Sequence, residues 1–262
     1  MVLAAFKMFT LFNGSSNLKK RHEVRPANGS TAHISSPTLK VAYLSLRDIF
    51  TARGTHYDAF QGDPLGDYVS GGDSSFLRTI VQNLYYWVHL SLMVLSKRVL
   101  TIDHGDAISV FAPASAPTRN NYRPTLSEKL LGFVDKVLLL IRNKLCSPEQ
   151  RKRNAESLEK LQQAIHDSVG EKIKEMIYLK RLATAPRCQK KGYGSALVKA
   201  ITDIADAEGR ACYLVSSNIN NSFFYNFHGF YTVAQTILGA DNPSWDKKPV
   251  VILLQMVREA KK

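Results

Sequence analysis

The sequence predicts a mixed α/β fold: a central sheet of about six or seven strands flanked by helices and interrupted by an inserted helical pair. Three observations carry this. From residue 174 onward the pattern runs strand, loop, helix, strand, helix, strand, strand, which implies a parallel pair with a crossover helix. Residues 98 to 102 and 107 to 112 are β-rich runs flanking a four-residue polar turn, Asp103 to Asp106, the signature of a hairpin. Between these regions, residues 125 to 170 keep a helical period. With 262 residues, 45% of them hydrophobic, the chain can bury one sizeable core.

Residues 1–37 carry Gly, Ser, Asn and Pro without periodicity and read as a flexible tail ahead of one domain, 38–262. The first 22 residues hold no acid, but Lys7 interrupts the apolar run that a secretory signal needs. A cytoplasmic protein is expected, with a mitochondrial-type presequence as the alternative. Leu39, Val41 and Tyr43 alternate and predict a first strand. "LRDIFTARGTHYDAF" reads as a helix and "QGDPLGDYVSGGDSS" as an irregular connection. The run Leu84 to Leu95 falls short of the ~20 apolar residues of a membrane span, so Phe76 to Leu95 is expected to be a buried helix, with interfacial association as the alternative and His89 a core histidine.

The insertion at 125–170 opens each helix with a capping box, Thr125 with Glu128 and Ser147 with Gln150, in which side chains satisfy free backbone groups. Ala155, Leu158, Leu161, Ile165 and Val169 form one packing face. Lid and scaffold are both open as its role. "EMIYLKRLAT" follows as a strand, and "GSALVKAITDIADAEG" as a helix with Ala196, Leu197, Ala200, Ile201 and Ile204 on its apolar stripe, closed by Gly209. "ACYLVSS" is a buried strand, "NNSFFYNFHGF" a short helix, and "YTVAQTIL" and "VVILLQMV" are the closing strands.

The formal charge is +13, and residues 171 to 199 hold eight basic against two acidic residues, a field that attracts an anionic ligand. The three cysteines, Cys146, Cys188 and Cys212, have no metal-ligand spacing, so reduced thiols and no metal site are expected.

That basic region contains "QKKGYGSALV", residues 189 to 198, between a strand and a helix N-terminus. Unpaired N–H groups and the positive end of the helix dipole suit this place to phosphate. Gly192 and Gly194 let the backbone approach a ligand, and Arg187, Lys190 and Lys191 add charge. The spacing is neither a P-loop nor a dinucleotide fingerprint, and a lone GxG before a helix also serves as a plain tight turn.

The stretch Gln189-Lys190-Lys191-Gly192-Tyr193-Gly194 matches the Q/R-x-x-G-x-G/A pyrophosphate motif of the GNAT N-acetyltransferase superfamily, and Asn218, Tyr225, Gly229 and Phe230 fall at that family's downstream spacings. The chain resembles this family most over residues 174 to 259. "AFQGDPLGDYV" is similar to the acceptor-side helix of small-molecule-type members often found in fungi. The resemblance implies a GNAT fold and acetyl-CoA as co-substrate, lying between the strands 176–184 and 211–217. It implies pyrophosphate on the backbone of Gln189, Lys190, Lys191, Gly192, Tyr193, Gly194 and Ser195, with Leu182, Ala183, Thr184, Asn218 and Ser222 completing the cofactor contacts. It also implies direct attack by a primary amine, with Tyr225 as the acid that protonates the departing thiolate; a phenol of pKa ~10 is protonated at neutral pH. A small-molecule amine is the first expectation for the acceptor, and a protein lysine the second.

One departure is plain. Many members carry a carboxylate on the strand before the loop, whereas this chain has Tyr178-Leu179-Lys180-Arg181. The proton acceptor is therefore open between a water chain, Tyr178, Asp58, Asp63 and Asp67; His228, just before Gly229, reads as a turn residue. A non-catalytic acyl-CoA-binding protein is the alternative, and a basic nucleic-acid-binding module, resting on charge alone, is the weaker one.

Overall fold

In the computed structural model, residues 39–71, 75–115, 125–246 and 251–261 are described, Val251 and Ile252 by backbone only. The order is β1 (Ala42–Tyr43), α1 (Ile49–Ala59), α2 (Pro64–Ser70), α3 (Phe76–Leu95), β2 (Val99–Ile102), β3 (Ala107–Ala112), α4 (Leu126–Lys144), α5 (Pro148–Ser168), β4 (Ile177–Thr184), α6 (Tyr193–Ala207), β5 (Cys212–Ser216), α7 (Ser222–Phe227), β6 (Tyr231–Leu238) and β7 (Val251–Arg258). Seven strands form one mixed sheet in the order β1-β2-β3-β4-β5-β7-β6. Every neighbouring pair is antiparallel except β4 with β5, joined by the crossover helix α6. The tail expected at 1–37 lies outside the described residues, as do parts of the loops 113–124 and 239–250.

Alternation along the strands assigns the two faces of the sheet. Ile177, Leu179 and Leu214 point to α6 and meet Leu197, Val198 and Ile201. On the other face, Tyr213 and Val215 pack on Tyr68 of α2 and on Leu161 and Ile165 of α5. Val99, Ile108, Val110 and Ala183 there meet Ala52 of α1 and Leu90 of α3.

Two elements differ from the sequence expectation. The first strand shrinks to two exposed residues, because Leu39 and Val41 pack into the core beside α6 rather than alternating along a ladder. The stretch read as an irregular connection contains α2: Asp63 is its N-cap, accepting the Gly66 N–H at 2.9 Å, and Pro64 opens the helix where its missing N–H costs nothing.

Both capping boxes of the insertion form. Helix α4 lies antiparallel along α3, tied by His89 Nδ1 to Asp135 Oδ1 at 3.0 Å and by the Ser96 hydroxyl donating to Glu128 Oε1 at 3.0 Å. The Arg142 guanidinium sits 5.2 Å from the Tyr85 ring centre. Helix α5 packs instead on α2 and β6. Among the described residues no helix is long and apolar enough to cross a membrane, and no three His, Cys, Asp or Glu side chains are grouped to hold a metal ion.

Candidate active site

The site is made by two parallel strands that part. β4 and β5 pair at only three positions, Ile177 with Cys212, Tyr178 with Tyr213 and Leu179 with Leu214. Beyond Leu179, β4 keeps β3 on one side, and among the described residues no strand pairs with it on the other. A bulge marks the parting: Val110 lies opposite Arg181 and Phe111 opposite Leu179, which leaves Lys180 as the extra residue on β4. Between the strands opens a cleft of about 220 Å³, lined by Leu179 to Leu182, Leu214 to Asn218, His56 of α1, Asp63 and Gly66 of α2, and Tyr225 of α7. None of its lining residues comes from 125–170, so the insertion forms no wall of it.

The glycine loop follows directly from β4. Gly192, at φ +82, is the N-cap of α6, and no side chain caps that helix. The first helical bond runs from the Ala196 N–H to the Gly192 carbonyl at 2.9 Å, so the amides of Tyr193, Gly194 and Ser195 have no partner within the helix. Lys190 and Lys191 are exposed beside them. A Cβ on Gly192 would meet only Leu39 Cδ1, at 3.7 Å; the glycine is needed for its left-handed backbone rather than for space within the protein.

Several expected cofactor contacts are engaged within the protein. The Gln189 amide donates to the Thr184 carbonyl at 3.2 Å, fastening the loop to the end of β4. The Tyr193 hydroxyl donates to Asp103, and Arg187 pairs with Asp106, both tying the loop to the β2–β3 turn. Ser195 Oγ lies 3.1 Å from His228 Nε2, which makes His228 a brace between α6 and α7. Leu182 and Ala183 pack into the two faces of the sheet. Asn218 Oδ1 accepts the Asn220 N–H at 3.0 Å, and Ser222 begins α7.

Of the open proton acceptors, only Asp63 lies in the cleft wall; Asp58, Asp67 and Tyr178 do not. Its Oδ2 caps α2 and its Oδ1 accepts from the Ser217 hydroxyl at the end of β5. Burial raises its pKa above the ordinary carboxylate range, opposed by the bonds from Ser217 and Gly66. Tyr225, 9% exposed, packs edge-on against Phe224 and Phe230, and burial pushes its phenol up to about 12. His56 is held neutral by burial and by Arg181 and Arg53. Lys180 is 6% exposed, and burial, then Arg181, pulls its ammonium down to about 7.

Sequence reasoning missed His56 and Ser217. For His56 no local signal exists. Ser217 was legible only as the neighbour of Asn218.

Residues 159–232 match the family model described as an acetyltransferase (GNAT) domain. No curated protein matches the chain by sequence. Among solved structures, arylalkylamine N-acetyltransferase 2 from Aedes aegypti aligns over 86% of this chain and 100% of its own, at TM-score 0.55 and 12% identity. The Drosophila melanogaster polyamine N-acetyltransferase, described as forming N-acetylagmatine, aligns over 84% and 99%, at TM-score 0.54 and 9% identity.

Proposed function

We propose that this chain, whose fold is that of the GNAT N-acetyltransferases and whose residues 159–232 carry an acetyltransferase domain, moves an acetyl group from acetyl-CoA to a primary amine. The observation that carries this reading is the parting of β4 from β5 directly before an uncapped helix N-terminus at Gly192. The free edge of β4 offers main-chain groups to an extended amide-bearing arm. The free amides of Tyr193, Gly194 and Ser195, with Lys190 and Lys191, offer donors and charge to phosphates. The residues present therefore fit the group.

Acetyl-CoA supplies the thioester carbonyl. The acceptor nitrogen, as free base, forms the new C–N bond while the C–S bond breaks. Asp63 takes the proton lost by the nitrogen: its raised pKa makes it a stronger base than an exposed carboxylate, and Ser217 and Gly66 hold it in place. Tyr225 gives its proton to the departing sulfur. Burial leaves it a weaker acid than a free tyrosine, but the same burial raises the proton affinity of the thiolate it must meet. The arylalkylamine and polyamine enzymes of similar fold, and the likeness of "AFQGDPLGDYV" to small-molecule-type members, favour a small amine over a protein lysine.

The test is acetyl-CoA titration followed by thiol release across an amine panel. At ~100 times its dissociation constant acetyl-CoA should stabilise the fold by about 2.7 kcal/mol, with ATP doing less. An unchanged melting temperature at millimolar acetyl-CoA would overturn the proposal.

A further inference from the structure

Helix α4 is inside out. The face it turns inward holds Glu128, Asp135 and Arg142 beside Leu138, all buried, Arg142 completely. Its opposite face carries Leu126, Leu130, Phe133, Val137, Leu140 and Ile141, all exposed; Leu126 is 83% and Phe133 65% exposed. Steps of four, three, four and three residues link Leu126, Leu130, Phe133, Val137 and Leu140, and Ile141 lies four residues beyond Val137, so the six share one stripe, ~22 Å long at 1.5 Å per residue. The exposed charges on the same helix are Lys129, Lys136 and Lys144, with no exposed carboxylate among them. A solvent-facing apolar row of this length, edged by one sign of charge, is unlike an ordinary solvated helix face.

We propose that this face of α4 is a docking surface for an anionic lipid bilayer, lying in the plane of the interface with its apolar stripe in the acyl boundary and its lysines at the headgroups. An apolar stripe with cationic flanks is the pattern of an interfacial helix, and flexible lysine stems reach from the stripe's edge to the phosphates. Charge complementarity selects this occupant. A second copy of the chain would bring three more lysines against the three already there. The chain's own residues 1–38 carry the same sign of charge, five basic residues against one acidic residue. The surface is independent of the proposed acetyl transfer, since no α4 residue lines the cleft.

The experiment uses the full chain in vesicle co-sedimentation, comparing phosphatidylcholine alone with phosphatidylcholine containing about 30% phosphatidylserine. Wild type should pellet with the anionic vesicles, and less so as salt rises. The double variant Leu130→Gln/Phe133→Gln removes side chains that already face solvent, so its melting temperature should hold; binding should drop at least tenfold. Lys129→Gln/Lys136→Gln should lose the preference for phosphatidylserine, by about fivefold per lysine at low salt. Absence of vesicle binding by wild type, or binding that survives the Leu130/Phe133 change, overturns the proposal. So does a dimer in sedimentation velocity that the same double variant dissociates without any vesicle binding.

Discussion

Replacing Asp63 by Asn separates the carboxylate's chemistry from its structural duty. Asp63 caps α2 through a 2.9 Å bond from the Gly66 N–H and accepts the Ser217 hydroxyl. An Asn oxygen can keep the cap, and Asn ranks with Asp as an N-cap residue, so the helix should lose only a few tenths of a kcal/mol. Because folding raises the pKa of Asp63 above 3.8, the protonated form is the one folding favours. Its contribution to stability is full below the unfolded pKa and is lost as pH rises through the folded value. At pH 7 the neutral Asn should therefore leave the protein at least as stable as wild type, and that gap should close as pH falls toward 3.8. Asp63→Ala also removes the cap, at a cost of about 1 kcal/mol, or roughly 2–4 °C for a domain of this size. Turnover should fall by ~10² to 10⁴ in both variants, the usual worth of general base catalysis. Wild-type kcat/KM should rise with pH as Asp63 ionises, and the residual activity of Asp63→Asn should lack that step. The assay is thiol release on one accepted amine from pH 4 to 9, beside melting temperatures at the same values. An Asn variant that keeps more than about a third of wild-type turnover, with chemistry limiting the rate, removes Asp63 from the mechanism.

Tyr225→Phe keeps the ring against Phe224 and Phe230 and should reduce kcat by ~10² to 10⁴ with acetyl-CoA affinity little changed by calorimetry; near-wild-type turnover would leave Tyr225 a packing residue. Gly192→Val must place a β-branched residue at φ +82, at a cost of about 1–2 kcal/mol in the free protein, and its side chain should block the amides beside it. Acetyl-CoA binding should disappear in Gly192→Val and only weaken in Lys191→Ala; equal small effects would reduce the loop to a turn. Burial lowers His89 to about 4, so its folded pKa lies below its unfolded 6.5. Its contribution to stability is present above pH 6.5 and lost as pH falls toward 4, a slope that calorimetry should find in wild type and that His89→Gln should lack.

What the sequence made legible were features with a local period or a fixed spacing. The turn at Asp103 to Asp106, both capping boxes and the loop at Gly192 each depend on residues within a few positions of one another. Helix α2 was partly legible. Asp63-Pro64 is a start signal, but Gly62, Gly66, Gly71 and Gly72 around it read as breakers, and only the likeness of the stretch to an acceptor-side helix pointed the right way. The contact of Asp63 with Ser217 joins residues 154 positions apart and has no local trace. The bulge at Lys180 is equally silent, since a one-residue shift in pairing changes no composition; it sets Lys180 and Arg181 side by side in the cleft wall. The inversion of α4 was hidden for another reason: a helical period says that two faces differ, not which one turns inward.

Arg153 of α5 lies between two rings, its guanidinium 5.3 Å from Tyr68 of α2 and 5.2 Å from Trp245 in the β6–β7 loop, and it donates to the carbonyls of Tyr68 and Ser244. One side chain thus rivets three segments distant in sequence, one of which carries Asp63. The helix bearing the cleft carboxylate and the loop before the last strand cannot then shift independently; each is registered against the other through α5. Grafting a new β6–β7 loop would loosen the far end of α2 and misplace Asp63, although no described residue of that loop lines the cleft. Changes of acceptor preference that work through either segment should therefore come as paired substitutions, one on each side of Arg153.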